Sequence, residues 1–212
     1  MALADDLIKE GVLKNPRLID AFRDMDRKKF VPKEFEDYAY IDEPLSIGEG
    51  QTISQPWTVA FMLELLDPKP GENIMEIGYG SGWQPALLAR TGANVYAIER
   101  VPKLCELGRK NVLKSYEVQP RNIQFFCQDG TLGLPDAAKK IGGFDKIIAA
   151  ASGRKLPSSW KNQLKTGGKI VAPIGDSIFE FIKKSEAKLS SIEHRGFAFV
   201  PLISDKKFNG RK

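Results

Sequence analysis

The sequence predicts a doubly wound α/β fold with a mostly parallel sheet, an N-terminal helical cap and an antiparallel C-terminal edge. From residue 57 onward, short apolar runs typical of buried strands alternate with segments of helical period. This alternation indicates βαβ units, whose strands pair in parallel. A glycine-rich stretch, MEIGYGSGW at 75–83, lies at the end of the first of these strands. Ligands of open α/β sheets bind at such strand ends, so the same pattern predicts where a site lies.

The N-terminal region predicts two helices and then a long irregular segment. The first helix is expected over 2–13. The second begins at Asn15-Pro16, a helix cap followed by a first-turn proline, and continues to Met25. Residues 30–56 are polar and aromatic without a sustained period. Irregular segments of that length within a compact domain are usually functional, so we expect a wall or lid of the site here.

The remaining elements follow from hydrophobic periodicity. The last apolar stretch, 177–202, is strand-like and predicts an antiparallel pair at the sheet edge. The length of 212 residues fits a single domain over 1–212, divided into 1–56, 57–175 and 176–212. The predicted strands are 73–77, 94–98, 122–127, 144–149 and 169–173, and the predicted helices are 57–66, 83–90, 102–115 and 157–164.

The composition of the chain indicates whether nucleic acid or a membrane is expected as a partner. The net charge of +5 permits contact with nucleic acid, but basic and acidic residues are interleaved, so none is expected. The densest basic cluster, Lys206, Lys207, Arg211 and Lys212, is interpreted as a solvated tail. No apolar run approaches the roughly 18 residues of a membrane span, so no membrane partner is expected. We expect a monomer.

The start of the chain and the cysteines predict a compartment. MALADDLIKEGVL carries two aspartates and no apolar signal core, so we expect a cytoplasmic protein. Two cysteines, Cys105 and Cys127, give little reason to expect a disulfide framework and cannot form a metal site alone. We therefore expect reduced thiols and no bound metal.

The glycine loop departs from a dinucleotide fingerprint. Its glycines are Gly78, Gly80 and Gly82, and Trp83 stands where G-x-G-x-x-G needs its third glycine. Glu76 precedes the first glycine by two positions. A pyrophosphate favours free N–H groups at a helix start without a neighbouring carboxylate. Glu76 suits instead a ligand with a cationic or hydroxyl-bearing part.

Acids at the next two strand ends complete a pattern. Glu99 comes 23 residues (99 − 76) after Glu76 and ends the second strand, where an acid hydrogen-bonds ribose hydroxyls. Asp129-Gly130 follows the third strand, where an acid can accept from an adenine amino group. Three acids with a G-x-G-x-G loop fit S-adenosyl-L-methionine, which has an ammonium, ribose hydroxyls and a positive sulfonium. Glu76, Glu99, Asp129, Gly130 and the loop glycines are therefore the predicted cofactor residues.

In these and further segments the chain resembles the protein-L-isoaspartate O-methyltransferase family, a group with the Rossmann-like methyltransferase fold. The resemblance covers about Phe30 to Leu202, in order, and the QTISQP segment is its most restricted part. The matching segments are FVP at 30–32, DEPLSIGEGQTISQP at 42–56, MEIGYGSGWQPALLA at 75–89, VYAIER at 95–100, QDGTLG at 128–133, FDKIIAAA at 144–151, LKTGGKIVAPIG at 164–175 and FAFVPL at 197–202.

The resemblance implies methylation of the α-carboxylate of L-isoaspartyl residues in damaged proteins, whose ester then collapses to a succinimide. It implies a catalytic role for Ser54, the serine of TISQP. By sequence alone, Ser54 could instead be the N-cap of the following helix. The residues implied to contact the substrate are Gln51, Thr52, Ile53, Ala151 and Ser152.

The sequence differs from the usual family pattern at two places, and these differences leave the identity of the substrate open. Family members usually carry a proline and an acid after the fourth strand, where this chain has Ser152 to Lys155, with the basic pair Arg154 and Lys155. Glu49 stands where an aromatic or small residue is common. The alternatives are a methyltransferase of the same fold acting on RNA or a small carboxylate, or a non-catalytic S-adenosylmethionine-binding protein. The basic pair leads us to expect a preference for acidic isoaspartyl peptides.

Overall fold

The computed structural model describes residues 2–116 and 120–204. The helices are α1 Ala2–Lys9, α2 Pro16–Asp24, α3 Pro56–Leu66, α4 Trp83–Arg90, α5 Pro102–Ser115, α6 Pro135–Ile141 and α7 Ser158–Gln163, with 3-10 turns at Arg27–Phe30, Lys33–Tyr38 and Gly130–Leu132. The strands are β1 Leu45–Gly48, β2 Gln51–Ile53, β3 Asn73–Ile77, β4 Asn94–Glu99, β5 Ile123–Cys127, β6 Phe144–Ala149, β7 Leu164–Ile174, β8 Ser177–Ser185 and β9 Lys188–Arg195.

Seven strands form one sheet in the order β5-β4-β3-β6-β7-β8-β9. The pairs from β5 to β7 are parallel, and β8 and β9 add two antiparallel pairs. The chain runs outward from β3 to one side through β4 and β5, then returns to place β6 on the other side. This reversal puts a topological switch point beside β3, where α/β sheets bind ligands. The predicted fold class is confirmed.

Helices cover both faces of the sheet because neighbouring strand residues point to opposite faces. On β3, Ile74 belongs to a core shared with α1 to α5, whereas Met75 belongs to a core shared with α6 and α7. Both side chains are fully buried. The central strand is therefore apolar on both faces, and its one acid, Glu76, is buried with them.

The N-terminal cap differs from its prediction at one helix end. The predicted 2–13 helix stops at Lys9, since Gly11 takes a positive φ of 75° that ends the helical backbone. The second helix begins as predicted: the Asn15 side chain accepts from the Arg17 N–H at 3.1 Å, and Pro16 is the first helical residue.

Three features of the structure were not predicted from the sequence. Within the segment predicted as irregular, β1 and β2 form an antiparallel hairpin. Helix α6 was not predicted, and β7 extends five residues before the predicted start at 169, since it begins at Leu164. These elements are short or carry few apolar residues, so their periodicity is weak. The partition at 56 and 175 stays a prediction, and the basic tail from 206 lies outside the described residues.

The expectation of reduced thiols was wrong for this structure. Cys105 and Cys127 form a disulfide, with their Cα atoms 5.8 Å apart. Cys127 ends β5 beside Glu99 of β4, and Cys105 lies in the first turns of α5, which starts just after β4. Parallel pairing of β4 and β5 therefore brings the two cysteines together, although 22 positions separate them in the chain.

Candidate active site

A cavity opens at the carboxyl ends of β3, β4 and β6, at the predicted switch point. Its volume is about 870 Å³, counting its open mouth. The cavity is bounded by the glycine loop, the β1–β2 hairpin, the end of β4 and the C-terminal segment. Lining residues include Ile47, Gln51, Thr52, Ile53, Ser54, Gly78, Tyr79, Gly80, Trp83, Gln84, Glu99, Gly130, Ala151 and Leu202.

The three glycines of the loop have different surroundings. Gly78 and Gly80 line the cavity at positive φ, and a Cβ on Gly80 would lie 3.1 Å from Cδ1 of Ile47 in the hairpin. Gly82 does not line it. A Cβ there would lie 2.5 Å from the Gly108 carbonyl oxygen, so Gly82 lets α5 pack against the start of α4. Contact of Gly82 with a cofactor stays a prediction.

Glu99 lies at the cavity wall with a buried carboxylate. One oxygen accepts from the Gly80 N–H at 3.0 Å, and the other accepts from the N–H groups of Arg100 at 2.8 Å and Val101 at 3.0 Å. These bonds fix the carboxylate against the glycine loop. The oxygen that accepts only the Gly80 bond can accept a further one, so a ribose hydroxyl can still bind.

Glu76 is completely buried beneath the loop and does not line the cavity. Among the described residues, neither of its carboxyl oxygens has a hydrogen-bond partner. Burial raises the pKa of Glu76 well above its ordinary value; the adjacent Gln84 amide lowers it in part, and the Glu99 carboxylate raises it further. The Gln84 Nε2, on the cavity wall, also lacks a partner among these residues. Of these two unsatisfied groups, only the Gln84 amide lines the cavity.

Asp129 has a capping role in the structure. Its Oδ1 accepts from the Thr131 N–H at 2.8 Å and from the Thr131 hydroxyl at 2.7 Å, and its Oδ2 accepts from the Ser204 hydroxyl at 3.0 Å. Asp129 does not line the cavity, whereas Gly130 does. A Cβ on Gly130 would lie 2.6 Å from Cγ2 of Ile77, so this position needs glycine. Adenine recognition by Asp129 stays a prediction.

Ser54 lies between β2 and α3 and lines the cavity. Gln55, not Ser54, is the N-cap of α3, so the capping interpretation was wrong. Instead, the Asp42 carboxylate accepts from the Trp57 N–H at 2.8 Å and the Gln55 side chain at 2.9 Å. The Ser54 carbonyl accepts from Arg27 at 3.1 Å, and its hydroxyl has no partner among the described residues. The hydroxyl is thus available to a ligand.

A second groove adjoins the cavity on its outer side. Apolar and aromatic residues near the end of β9 and the start of α3 line part of this groove, and Arg195 lines it as well. The Trp57, Phe61 and Phe197 rings stack there, with centroid separations between 5.2 and 6.3 Å. Four residues line both spaces: Thr52, Ser54, Ala150 and Val200.

Of the other predicted substrate residues, three line the cavity and one does not. Gln51, Ile53 and Ala151 line the cavity. Ser152 lines neither space; its hydroxyl donates to the Gly175 carbonyl at 2.9 Å and its backbone pairs with the 200–202 segment. Arg154 and Lys155 are exposed and line neither space.

The C-terminal segment is the main part of the site that sequence reasoning missed. Val200, Pro201, Leu202 and Ile203 form one cavity wall. The segment is held by Ser152, which donates its N–H to the Val200 carbonyl and accepts from the Leu202 N–H, each at 2.8 Å. FAFVPL contributed to the family resemblance, but nothing in its own residue types indicated a contact with the site.

The described part of the chain has no group of three or more His, Cys, Asp or Glu residues that could hold a metal ion. Across 2–116 and 120–204, every helix is too short or too polar to cross a membrane.

Comparison with known proteins assigns the family. Residues 1–207 match the model of the Protein-L-isoaspartate(D-aspartate) O-methyltransferase family. The chain belongs to this family. It is 39% identical over 202 residues to the protein-L-isoaspartate O-methyltransferase of Pyrococcus horikoshii, covering 92% of this chain and 89% of the relative. It is 40% identical to the Flavobacterium psychrophilum enzyme of the same name, over 94% and 92% of the two chains.

Two solved structures show the same fold. A chain described as a protein-L-isoaspartate O-methyltransferase superposes with a TM-score of 0.84 at 28% identity, over 96% of this chain and 66% of its own length. A Plasmodium falciparum structure described in the same terms, in complex with S-adenosyl-L-homocysteine, gives a TM-score of 0.82 at 24% identity, over 95% and 97%.

Proposed function

We propose that this family member transfers the methyl group of S-adenosyl-L-methionine to the α-carboxylate of L-isoaspartyl residues in damaged proteins and peptides, which initiates their repair. The observation that carries the proposal is the position of Ser54 at the junction of the inner cavity and the outer groove. A cofactor in the cavity and a peptide in the groove would meet at this junction. The unpartnered Ser54 hydroxyl can orient the reacting carboxylate there.

The residues of the cavity fit the proposed cofactor. Gly78 and Gly80 leave room beside the loop backbone, and Glu99 can accept from ribose hydroxyls. The unsatisfied Gln84 amide on the cavity wall provides a polar partner for an amino-acid moiety. When bound, the cofactor supplies a methyl group already activated by its positive sulfonium.

The acceptor needs no general base. A carboxylate with a reference pKa near 4 is ionised at neutral pH. The protein then contributes mainly by holding donor and acceptor in line and excluding water, which can supply about 7–11 kcal/mol. The β1–β2 hairpin and the 200–203 segment cover two sides of the cavity and are suited to this task. The single histidine, His194, packs against Phe61 and lines neither space.

The test is methylation of an isoaspartyl peptide, with the same peptide containing normal aspartate as control. We expect methyl transfer to the first peptide only. Ser54→Ala should lower turnover by about 10-fold or more, as expected when an orienting contact is lost, while the melting temperature stays nearly unchanged. Methylation of neither peptide, alongside tight cofactor binding, would contradict the proposed substrate; a loss of stability with normal turnover would contradict the role of Ser54.

We propose further that the protein is a cytoplasmic monomer. The Cys105–Cys127 bond would then be an intracellular disulfide, a type that persists in hyperthermophilic organisms and is otherwise rare. Thiol alkylation in lysed native cells tests the redox state in that compartment. Light scattering of the purified protein tests its assembly.

A further inference from the structure

Arg27 is a buried cation that joins several parts of the site without lining the cavity. It belongs to the 3-10 turn Arg27–Phe30 and is only 1% exposed. A charge removed from water this completely is costly unless its hydrogen bonds are replaced. Burial lowers the pKa of Arg27 to about 10, with Asp42 acting in the opposite direction. The guanidinium therefore stays protonated at neutral pH.

Its side-chain hydrogen bonds to described residues run to the irregular 39–44 segment and to Ser54, and its Nε has no partner among those residues. Nη1 donates to the carbonyls of Ala39 at 2.8 Å and Ile41 at 3.4 Å, and Nη2 donates to those of Glu43 at 3.0 Å and Ser54 at 3.1 Å. Residues 39–44 form no helix or strand, so these carbonyls lack secondary-structure partners. One planar fork thus fixes the irregular segment and the catalytic-site serine relative to each other.

Arg27 also contacts the cofactor side. Its guanidinium carbon lies 5.5 Å from the centre of the Trp83 ring, within cation–π range. Trp83 lines the cavity at the start of α4, and its Nε1 donates to the Met25 carbonyl at 3.0 Å. Asp42, within the fixed segment, accepts from Trp57 and so ties that segment to the start of α3. The Ser54 carbonyl is therefore held by Arg27, and the residues that follow it are held by Asp42.

We propose that Arg27 is a positioning residue that sets the orientation of the Ser54 hydroxyl for methyl transfer. The inference rests on the proposed function. Lysine at this position would keep the charge, but its ammonium has three donors on one nitrogen and cannot bind all four carbonyls. The Ser54 peptide would then be free to rotate, while the groups that face the cofactor, Glu99 and the glycine loop, would be unchanged.

The test is a double-mutant cycle between Arg27→Lys and Ser54→Ala, measured well below each variant's melting temperature. In the wild-type background, Arg27→Lys should lower kcat on an isoaspartyl peptide by about 10- to 100-fold, the cost of a misplacement near 1 Å, with the Kd for S-adenosyl-L-homocysteine changed less than about 3-fold. In the Ser54→Ala background the same change should lower kcat less than about 3-fold. Arg23→Lys, in an exposed pair with Asp5, is the matched control and should change neither quantity.

The outcomes separate the possible roles. An equal loss of kcat in both backgrounds would show that Arg27 acts on the fold generally, and unchanged kcat for Arg27→Lys would remove its role altogether; either overturns the proposal. If Arg27→Lys does not fold, Asp42→Ala takes its place in the cycle with the same expectation, because it releases the same segment from α3. Failure of the wild-type protein to methylate the peptide would instead refute the proposed function.

Discussion

At the scale of single residues, Glu99 connects the sequence pattern to the cofactor. Its carboxylate already binds three backbone N–H groups, so it is oriented before a ligand arrives. Glu99→Ala should weaken S-adenosylmethionine binding by about 1.5–3 kcal/mol, the range for hydrogen bonds to a charged group. Calorimetric titration measures this, with the exposed Glu106→Ala of α5 as control. Wild-type affinity in a folded Glu99→Ala protein would contradict the assignment.

Glu76 predicts a pH dependence of stability. Burial raises its pKa in the folded state, whereas in the unfolded chain the group ionises near its ordinary value of 4.5. Above that value the folded state binds more protons than the unfolded state, so its contribution to the free energy of unfolding falls as pH rises towards the raised pKa. Glu76→Gln should therefore flatten the decline of the urea midpoint as the pH rises above about 5. Parallel pH profiles for the two proteins would exclude this role.

At the scale of elements, positive charge in the groove comes from Arg195 at the end of β9, and not from the basic pair of the 150–157 loop. Arg154 and Lys155 are exposed outside both spaces, whereas Arg195 lines the groove together with Ser54. Its partner Glu193, 3.2 Å away, compensates part of this charge. Both side chains are accessible to solvent, so salt should screen the field that reaches a bound peptide.

We expect isoaspartyl peptides with acidic flanking residues to be methylated faster than peptides flanked by lysines at low salt, and high salt should shrink the difference. Arg195→Ala should reduce the difference more than the double change Arg154→Ala and Lys155→Ala, although it removes only one charge. Initial rates for the two peptides with each variant measure this. Equal rates for both peptides with the wild-type protein at low salt would refute the charge preference and leave the enzyme assignment intact.

At the scale of the whole molecule, the sequence predicts the parallel sheet because each core strand is a short apolar run of its own. The ends of these strands were predicted for the same reason, since a strand's end is visible where its apolar run stops. What could not be predicted depends on contacts between distant residues. The Asp42 cap on α3, the Arg27 fork and the 200–203 wall each join segments that only the fold brings together. The packing of Gly82 against Gly108 was not predicted either, because a glycine needed for helix packing looks the same in sequence as one beside a ligand.

The disulfide is the long-range contact with the clearest consequence for global stability. It joins α5 to the end of β5 across 22 positions, beside Glu99, which lines the cavity. A cross-link of this span restricts the unfolded chain and typically stabilises a protein by about 2–4 kcal/mol. The double variant Cys105→Ser and Cys127→Ser should lower the free energy of unfolding by that amount.

Denaturant unfolding with and without a dithiol reductant gives the measurement and its control together. Reductant should destabilise the wild-type protein towards the stability of the double serine variant and should leave that variant unchanged. Because Cys127 is exposed, the bond is accessible to the reductant in the folded state. Wild-type protein that is equally stable in both conditions, with both thiols alkylated before any reductant is added, would show that the pair is not bonded in solution.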